Sequence, residues 1–101
     1  MEETRRWKIL VVEDDDAGRE TLGEWLERRG YDPILVADGK EAIRHLHDGV
    51  AVVITDLKMP RGGGLQLLRH VTKHAPHASV IIITGHGTVD AAVTALKEGA
   101  F

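Results

Sequence analysis

The sequence lacks several features that would assign a protein to a class at once. It contains no cysteine, only three prolines, and among its 101 residues only two Trp, one Tyr and one Phe. The absence of cysteine excludes disulfides, thiolate metal sites and thiol nucleophiles. A membrane-spanning helix needs about 20 consecutive apolar residues, and the longest apolar run, Val50–Ile54, is far shorter. The formal net charge of −3 gives no general attraction for nucleic acid.

The composition that is present fits one globular domain. Hydrophobic residues make up 43% of the chain and charged residues 29%. A domain of this length buries roughly two-thirds of the surface of its unfolded chain, so one modest core is expected. The first eight residues carry charges of both signs and no apolar segment of the signal-peptide kind. We therefore expect a cytoplasmic single domain.

Short apolar runs alternate with segments of helical periodicity. The runs are rich in Val and Ile and show no polar alternation, which predicts strands buried on both faces. They are Ile9–Val12, Ile34–Val36, Val50–Ile54 and Val80–Ile83. Apolar residues at helical spacing follow each run, around Leu22, Ala42, Leu67 and Val89. This β-α-β-α-β-α-β-α order predicts an α/β fold with a doubly wound parallel sheet.

Acidic or hydroxyl side chains follow three of the predicted strands. Glu13-Asp14-Asp15-Asp16 follows the first strand, Asp56 the third and Thr84 the fourth. The crevice of an open α/β sheet lies at the carboxyl ends of its strands, so these groups are expected to meet there. Converging carboxylates favour a hard cation, and Mg²⁺ fits them best. Because an aspartate beside such an ion can attack phosphorus, the residues suggest metal-assisted phosphoryl transfer to Asp56.

Each of these residues also has an ordinary structural interpretation. An aspartate after a strand is commonly a helix cap or a turn residue, and Asp15 and Asp16 are both suited to cap the first helix. Thr84-Gly85 is a common turn sequence. The coincidence of three such strand ends favours the functional interpretation over the structural one.

Four segments resemble the receiver domain of bacterial two-component response regulators. They are Lys8–Asp15, Ile54–Pro60, Gly64-Leu65 and Ile83–Gly87. The resemblance implies that Asp56 is the phosphoacceptor, that Asp14 binds Mg²⁺ directly, and that Glu13 binds it through water. It also implies that Lys58 offers its backbone carbonyl to the metal and that Thr84 is the switch hydroxyl that holds the phosphoryl group.

The resemblance extends to the fold, which in this family is a flavodoxin-like sheet of order 2-1-3-4-5. Residues 1–7 would be an N-terminal extension and residues 8–101 the receiver domain. The family has a fifth strand, a fifth helix, an aromatic residue and a lysine shortly beyond the position of Phe101. We therefore expect the order 2-1-3-4, with the last strand and helix missing. A truncated chain, a lost tail and a natural minimal receiver that dimerises are all open explanations.

The function implied by the resemblance is that of a phosphoacceptor module that is not itself an enzyme. It would receive a phosphoryl group from a histidine kinase and act within a transcriptional regulator. Thr84–Phe101 is further similar to nitrogen-regulator-type enhancer-binding activators. DNA would be contacted only through an output domain that is absent from this chain, and no membrane contact is expected.

Two other functions stay open at this point. The chain could be a receiver-like dimerisation or interaction module that is not phosphorylated, pairing through its fourth helix or the edge of its fourth strand. Because the fifth helix is missing, one side of the first helix loses its neighbour, so Trp25 and Leu26 are expected to be exposed as an apolar patch of the kind that marks an interface. A metal-dependent phosphatase is disfavoured, because it needs a second acid two residues after Asp56, where Lys58 stands.

The six histidines are numerous for this length. His70 and His74 are four residues apart on the predicted third helix, a spacing that can bind a metal ion. Such a pair more commonly lies on a solvent-exposed helix face without binding a metal, and we expect this arrangement here.

Overall fold

The computed structural model describes residues 6–56 and 64–83. Strands and helices alternate along these residues in the order β1 (Lys8–Val12), α1 (Asp16–Arg28), β2 (Asp32–Val36), α2 (Gly39–His45), β3 (Val50–Asp56), α3 (Gly64–His74) and β4 (Ser79–Ile83). The four strands predicted from the apolar runs are confirmed in position. Burial on both faces is wrong for β2 and β4, where Leu35 and Ile81 are 38% and 41% exposed. The fourth helix, predicted around Val89, lies outside the described residues. In the described ranges no helix combines the length and apolar character needed to cross a bilayer.

The four strands form one parallel sheet of order β2-β1-β3-β4, as the resemblance implies. From β1 the chain crosses to β2 on one side, and from β2 it returns past β1 to form β3 on the other. The helix that follows β1 and the helix that follows β3 lie on opposite faces of the sheet. In open α/β sheets such a change of side marks the place, at the carboxyl ends of the strands, where a binding crevice forms. The fold thus defines where a site can form before any side chain is considered.

Alternate residues of β1 enter two separate hydrophobic layers. Ile9 and Val11 pack with Leu26 of α1 on one face of the sheet. Leu10 and Val12 pack on the other face with the buried residues of α2 and α3. Because successive side chains of a strand point to opposite faces, both layers depend on the register of this strand. The presence of helices on both faces confirms the doubly wound arrangement.

The carboxyl end of α1 is closed by a Schellman motif. The backbone N–H of Gly30 donates to the carbonyl of Glu27 and that of Tyr31 donates to the carbonyl of Leu26, each at 3.1 Å. Gly30 has a φ of +89°, a left-handed conformation that residues with a Cβ adopt only at a cost. Tyr31 packs against the cluster that contains Leu26, which is the hydrophobic contact that accompanies this motif.

The expectation that Trp25 and Leu26 are both exposed is wrong for Leu26. Only 3% of Leu26 is exposed, because it packs on Ile9 and Val11 of the sheet. Trp25 is 48% exposed, as expected, and the Arg29 guanidinium lies 3.7 Å from the centre of its ring. Neighbouring residues of a helix point about 100° apart, so one can face the sheet while the other faces solvent.

Replacement of Gly30 tests the closure of α1. Gly30→Ala should lower the free energy of unfolding by about 1–2 kcal/mol, because alanine must adopt the left-handed backbone conformation. Gly30→Asn should lose less, because asparagine tolerates that conformation better. Urea denaturation of the wild type and both variants measures these differences. Equal losses for alanine and asparagine would contradict the conformational explanation.

Candidate functional site

The backbone brings the predicted acidic positions to one end of the crevice. Val12 of β1 stands opposite Thr55 of β3, so Glu13 and Asp56, which follow them, lie at the same level of the sheet. Asp56 is paired in turn with Ile83 of β4. Adjacent strands are about 4.8 Å apart, so groups that leave the ends of β1 and β3 are close enough to share one small ligand. Two other predicted site residues, Lys58 and Thr84, lie outside the described residues.

The acidic side chains that follow β1 make different contacts. The Asp15 carboxylate caps α1, accepting the backbone N–H of Gly18 at 2.7 Å. The Asp16 carboxylate pairs with the Arg19 guanidinium at 2.6 Å. The Glu13 carboxylate accepts the backbone N–H of Asp15 at 3.1 Å. The prediction that Asp15 or Asp16 caps the first helix is therefore confirmed for Asp15.

Asp14 differs from its three acidic neighbours. Its side chain is exposed, and within residues 6–56 and 64–83 it makes no hydrogen bond or ion pair. The backbone on either side of it is held in place, since the Glu13 N–H donates to the Val36 carbonyl at 3.1 Å and Asp15 is the helix cap. A carboxylate that is positioned by its neighbours and has no partner among them is available to a ligand.

Arg19, in the first turns of α1, contacts this loop and was not predicted from the sequence. Its guanidinium donates to the Glu13 carbonyl at 2.9 Å and also binds Asp16, so it ties the loop to the first turn of α1. The signal was present in the sequence, because Asp16 and Arg19 have the i, i+3 spacing of a helical ion pair. The positive charge of Arg19 offsets the negative charge of the Asp16 carboxylate, and Arg19 makes no hydrogen bond to Asp14.

The residues present fit a hard cation in part. Asp14 supplies a carboxylate, and oxygen ligands of this kind suit Mg²⁺, which needs only one or two carboxylates besides water. Across the part of the chain that the structure describes, no group of three or more His, Cys, Asp and Glu side chains could hold a metal ion alone. A Mg²⁺ site would therefore depend on the predicted contributions of Asp56 and Lys58.

A second polar cluster lies on α3. The ring centres of His70 and His74 are 4.4 Å apart, with their planes inclined by 37°. Burial, together with the positive charges of His74, His47 and Lys73, lowers the pKa of His70 below its ordinary value of 6.5. His70 also lines a groove of about 430 Å³ between α2 and α3, with Lys40 and Arg69 among the other lining residues.

Comparison with known proteins identifies the family. Residues 9–101 match the family model described as the response regulator receiver domain. The chain belongs to this family. The receiver domain is the phosphorylated signalling module of two-component systems, so the family assignment agrees with the resemblance found from the motifs.

The receiver-domain relatives include several transcriptional regulators. FixJ of Azorhizobium caulinodans, a transcriptional regulatory protein, is 40% identical over 96 residues, which are 91% of this chain and 44% of FixJ. The response regulator PilR of Pseudomonas aeruginosa is 36% identical over 97 residues, covering 95% of this chain and 22% of PilR. This receiver domain thus spans less than half the length of these relatives.

Solved structures of receiver domains share the fold. The crystal structure of a response regulator receiver domain protein from Clostridium thermocellum superposes with a TM-score of 0.88 at 40% identity, covering 94% of this chain and 78% of that chain. NtrX from Brucella abortus superposes with a TM-score of 0.86 at 30% identity, covering 96% of this chain and 22% of that chain. The flavodoxin-like arrangement predicted for the sheet is therefore confirmed.

Substitutions of two neighbouring acids, Asp14 and Asp15, should affect the stability of the domain differently. Asp15→Ala removes the cap of α1 and should lower the free energy of unfolding by about 1 kcal/mol. Asp14→Asn should leave it unchanged or raise it, because it removes one charge from a crowded acidic run. Thermal and urea unfolding of both variants measure the difference. A loss for Asp14→Asn as large as that for Asp15→Ala would show that Asp14 has a structural partner.

The pKa of His70 should respond to its neighbour. NMR titration of the ring should give a midpoint below 6.5, and His74→Ala should raise that pKa because it removes a nearby positive charge. Since the pKa is lower in the folded than in the unfolded chain, His70 makes the folded state less stable as the pH falls below 6.5. His77→Ala is the control and should leave the midpoint in place. An unchanged midpoint in His74→Ala would contradict the assigned cause.

Proposed function

We propose that this receiver domain accepts a phosphoryl group on Asp56 in the presence of Mg²⁺. The proposal rests chiefly on Asp14, which is exposed at the carboxyl end of β1, has no bonded partner among the described residues and adjoins the strand that ends at Asp56. A carboxylate that serves folding has a structural partner, as the carboxylates of Asp15 and Asp16 do. Family membership supports the same chemistry.

In the proposed site each residue has a separate task. Asp14 holds Mg²⁺ directly and Glu13 holds it through water, while Asp56 and the backbone carbonyl of Lys58 supply further oxygens. Mg²⁺, when bound, offsets the negative charge of the transferred phosphoryl group. Thr84 donates its hydroxyl to a phosphoryl oxygen. The positions of Lys58 and Thr84 come from the family motif alone.

The proposed reaction is a transfer from phosphohistidine of a histidine kinase. A carboxylate oxygen of Asp56 attacks phosphorus, an O–P bond forms, and the P–N bond of the donor breaks, with its electron pair returning to the imidazole nitrogen. The product is an acyl phosphate on Asp56. The domain assists its own phosphorylation and turns over no separate substrate, so we propose that it is not an enzyme in the ordinary sense.

We further propose the setting in which this domain works. Receiver relatives such as FixJ and PilR are much longer than this chain, and their names mark them as regulators. A cytoplasmic transcriptional regulator is therefore the proposed context, with DNA contacted only by an output domain. Residues 1–7 are proposed to be an extension that precedes the receiver domain, which begins at Lys8.

Phosphorylation can be tested directly. Incubation with acetyl phosphate and Mg²⁺ should add the mass of one phosphoryl group to the intact chain, and Asp56→Asn should abolish the addition. Asp48→Asn is a matched control, since Asp48 is an exposed acid that binds His45 at 3.0 Å, outside the crevice. No adduct on the folded wild type, or an adduct that survives in Asp56→Asn, would refute the proposal.

The role of Asp14 predicts a separable effect. Asp14→Asn should lower the affinity for Mg²⁺ at least about tenfold, because even loss of a group that only supports a ligand commonly costs that much. The rate of phosphorylation at a fixed low Mg²⁺ concentration should fall with it. Isothermal titration with Mg²⁺ measures the affinity, and Asp16→Asn serves as the control. Equal affinities in wild type and Asp14→Asn would remove Asp14 from the metal site.

A second candidate function is an unphosphorylated module that dimerises. It is favoured by Ile81, which is 41% exposed on β4, the last strand beside β3 among the strands that the structure describes. Exposed apolar side chains on a terminal strand favour pairing with another chain. Sedimentation velocity distinguishes the two functions. The unphosphorylated module would form the same dimer with and without phosphodonor, and Ile81→Lys would dissociate that dimer. A monomer before phosphorylation would exclude it.

A further inference from the structure

We propose that His70 and His74 of α3 bind a borderline divalent transition-metal ion, of the class of Zn²⁺, Ni²⁺ and Cu²⁺. The two residues are one helical turn apart, and their ring centres lie 4.4 Å from each other. This site is independent of the proposed phosphoacceptor function and uses none of the residues at the carboxyl ends of β1 and β3.

The separation of the two rings is close to that of a pair of imidazoles that share one ion. A metal–nitrogen bond of about 2.1 Å places each imidazole centre about 3.2 Å from the ion, so two rings that meet at 90–110° have centres about 4.5–5.2 Å apart. The observed 4.4 Å is just below that range. Two histidines at i and i+4 on one helix face are a recognised pair of zinc ligands. The two rings therefore lie about as far apart on one helix face as a shared ion requires.

The ligand type selects the class of metal. Imidazole nitrogen suits Zn²⁺, Cu²⁺ and Ni²⁺, whereas Mg²⁺ takes oxygen ligands, so this pair does not compete for the ion proposed at Asp14. Among the described residues there is no group of three or more metal-ligating side chains. The ion is therefore held by two protein ligands, and water completes its coordination.

The surroundings of the pair set the affinity. The positively charged or titratable groups around His70 come from α3 and from α2 and its end, namely Lys40, His47, Arg69 and Lys73. Positive charge repels a cation, so binding is expected to be weaker than in an enclosed site with three or four protein ligands. The site is also accessible, because His74 is exposed and His70 borders the open groove between α2 and α3.

The test is a titration of the full chain with Zn²⁺ in the Asp14→Asn background, which weakens any binding at the acidic loop. Calorimetry should give one ion per chain, and NMR should show the largest shifts at the rings of His70 and His74. His70→Ala and His74→Ala should each lower the affinity at least about tenfold. The double variant should be no worse than either single one, because a two-ligand chelate fails as a unit.

Matched controls separate a chelate from scattered surface histidines. His77→Ala removes an exposed histidine outside the pair and should not change the affinity. Thr72→His combined with His74→Ala keeps the number of histidines but places them two residues apart, on different helix faces, and should not restore binding. Circular dichroism confirms that each variant is folded. Wild-type affinity in His74→Ala, or an equal loss in His77→Ala, would overturn the proposal.

Discussion

The parallel pairing of β1 with β3 is the constraint on which the rest of the structure depends. This pairing exists because the chain passes from β2 back across β1, so the two strands become neighbours although a helix–strand–helix segment separates them in sequence. In open α/β sheets ligands bind at the carboxyl ends of two such strands. The position of β1 in the sheet also connects the two hydrophobic layers, because β1 contributes side chains to each of them.

The acidic loop after β1 reconciles folding with ligand binding. Four consecutive carboxylates repel one another, and the fold answers with a helix cap for Asp15, a guanidinium for Asp16 and a backbone N–H for Glu13. Asp14 keeps its exposed position as a result of this division. The residue proposed to bind metal is thus held in place by neighbours that have structural partners of their own.

The sequence predicted the strands well and their arrangement only through the family resemblance. Strands buried on both faces are continuous Val and Ile runs, which are visible without any structure. Strand order cannot be predicted from such runs, because the apolar pattern of a buried strand is the same whichever strands pair with it. Leu26 is buried because it packs on Ile9 and Val11, and this contact does not depend on a fifth helix. The spacing of Asp16 and Arg19 indicates their ion pair, whereas the hydrogen bond from Arg19 to the backbone carbonyl of Glu13 has no signal in the sequence.

The alternation of side chains along β1 also bears on how such a sequence can change over time. Substitution of one buried residue alters one layer only, and the other layer can hold the strand in place while neighbours adjust. Deletion of a single residue would exchange the two sets of side chains between the layers and would draw the acidic loop back by roughly 3.3 Å. This strand should therefore accept apolar replacements in natural variants more readily than changes of length.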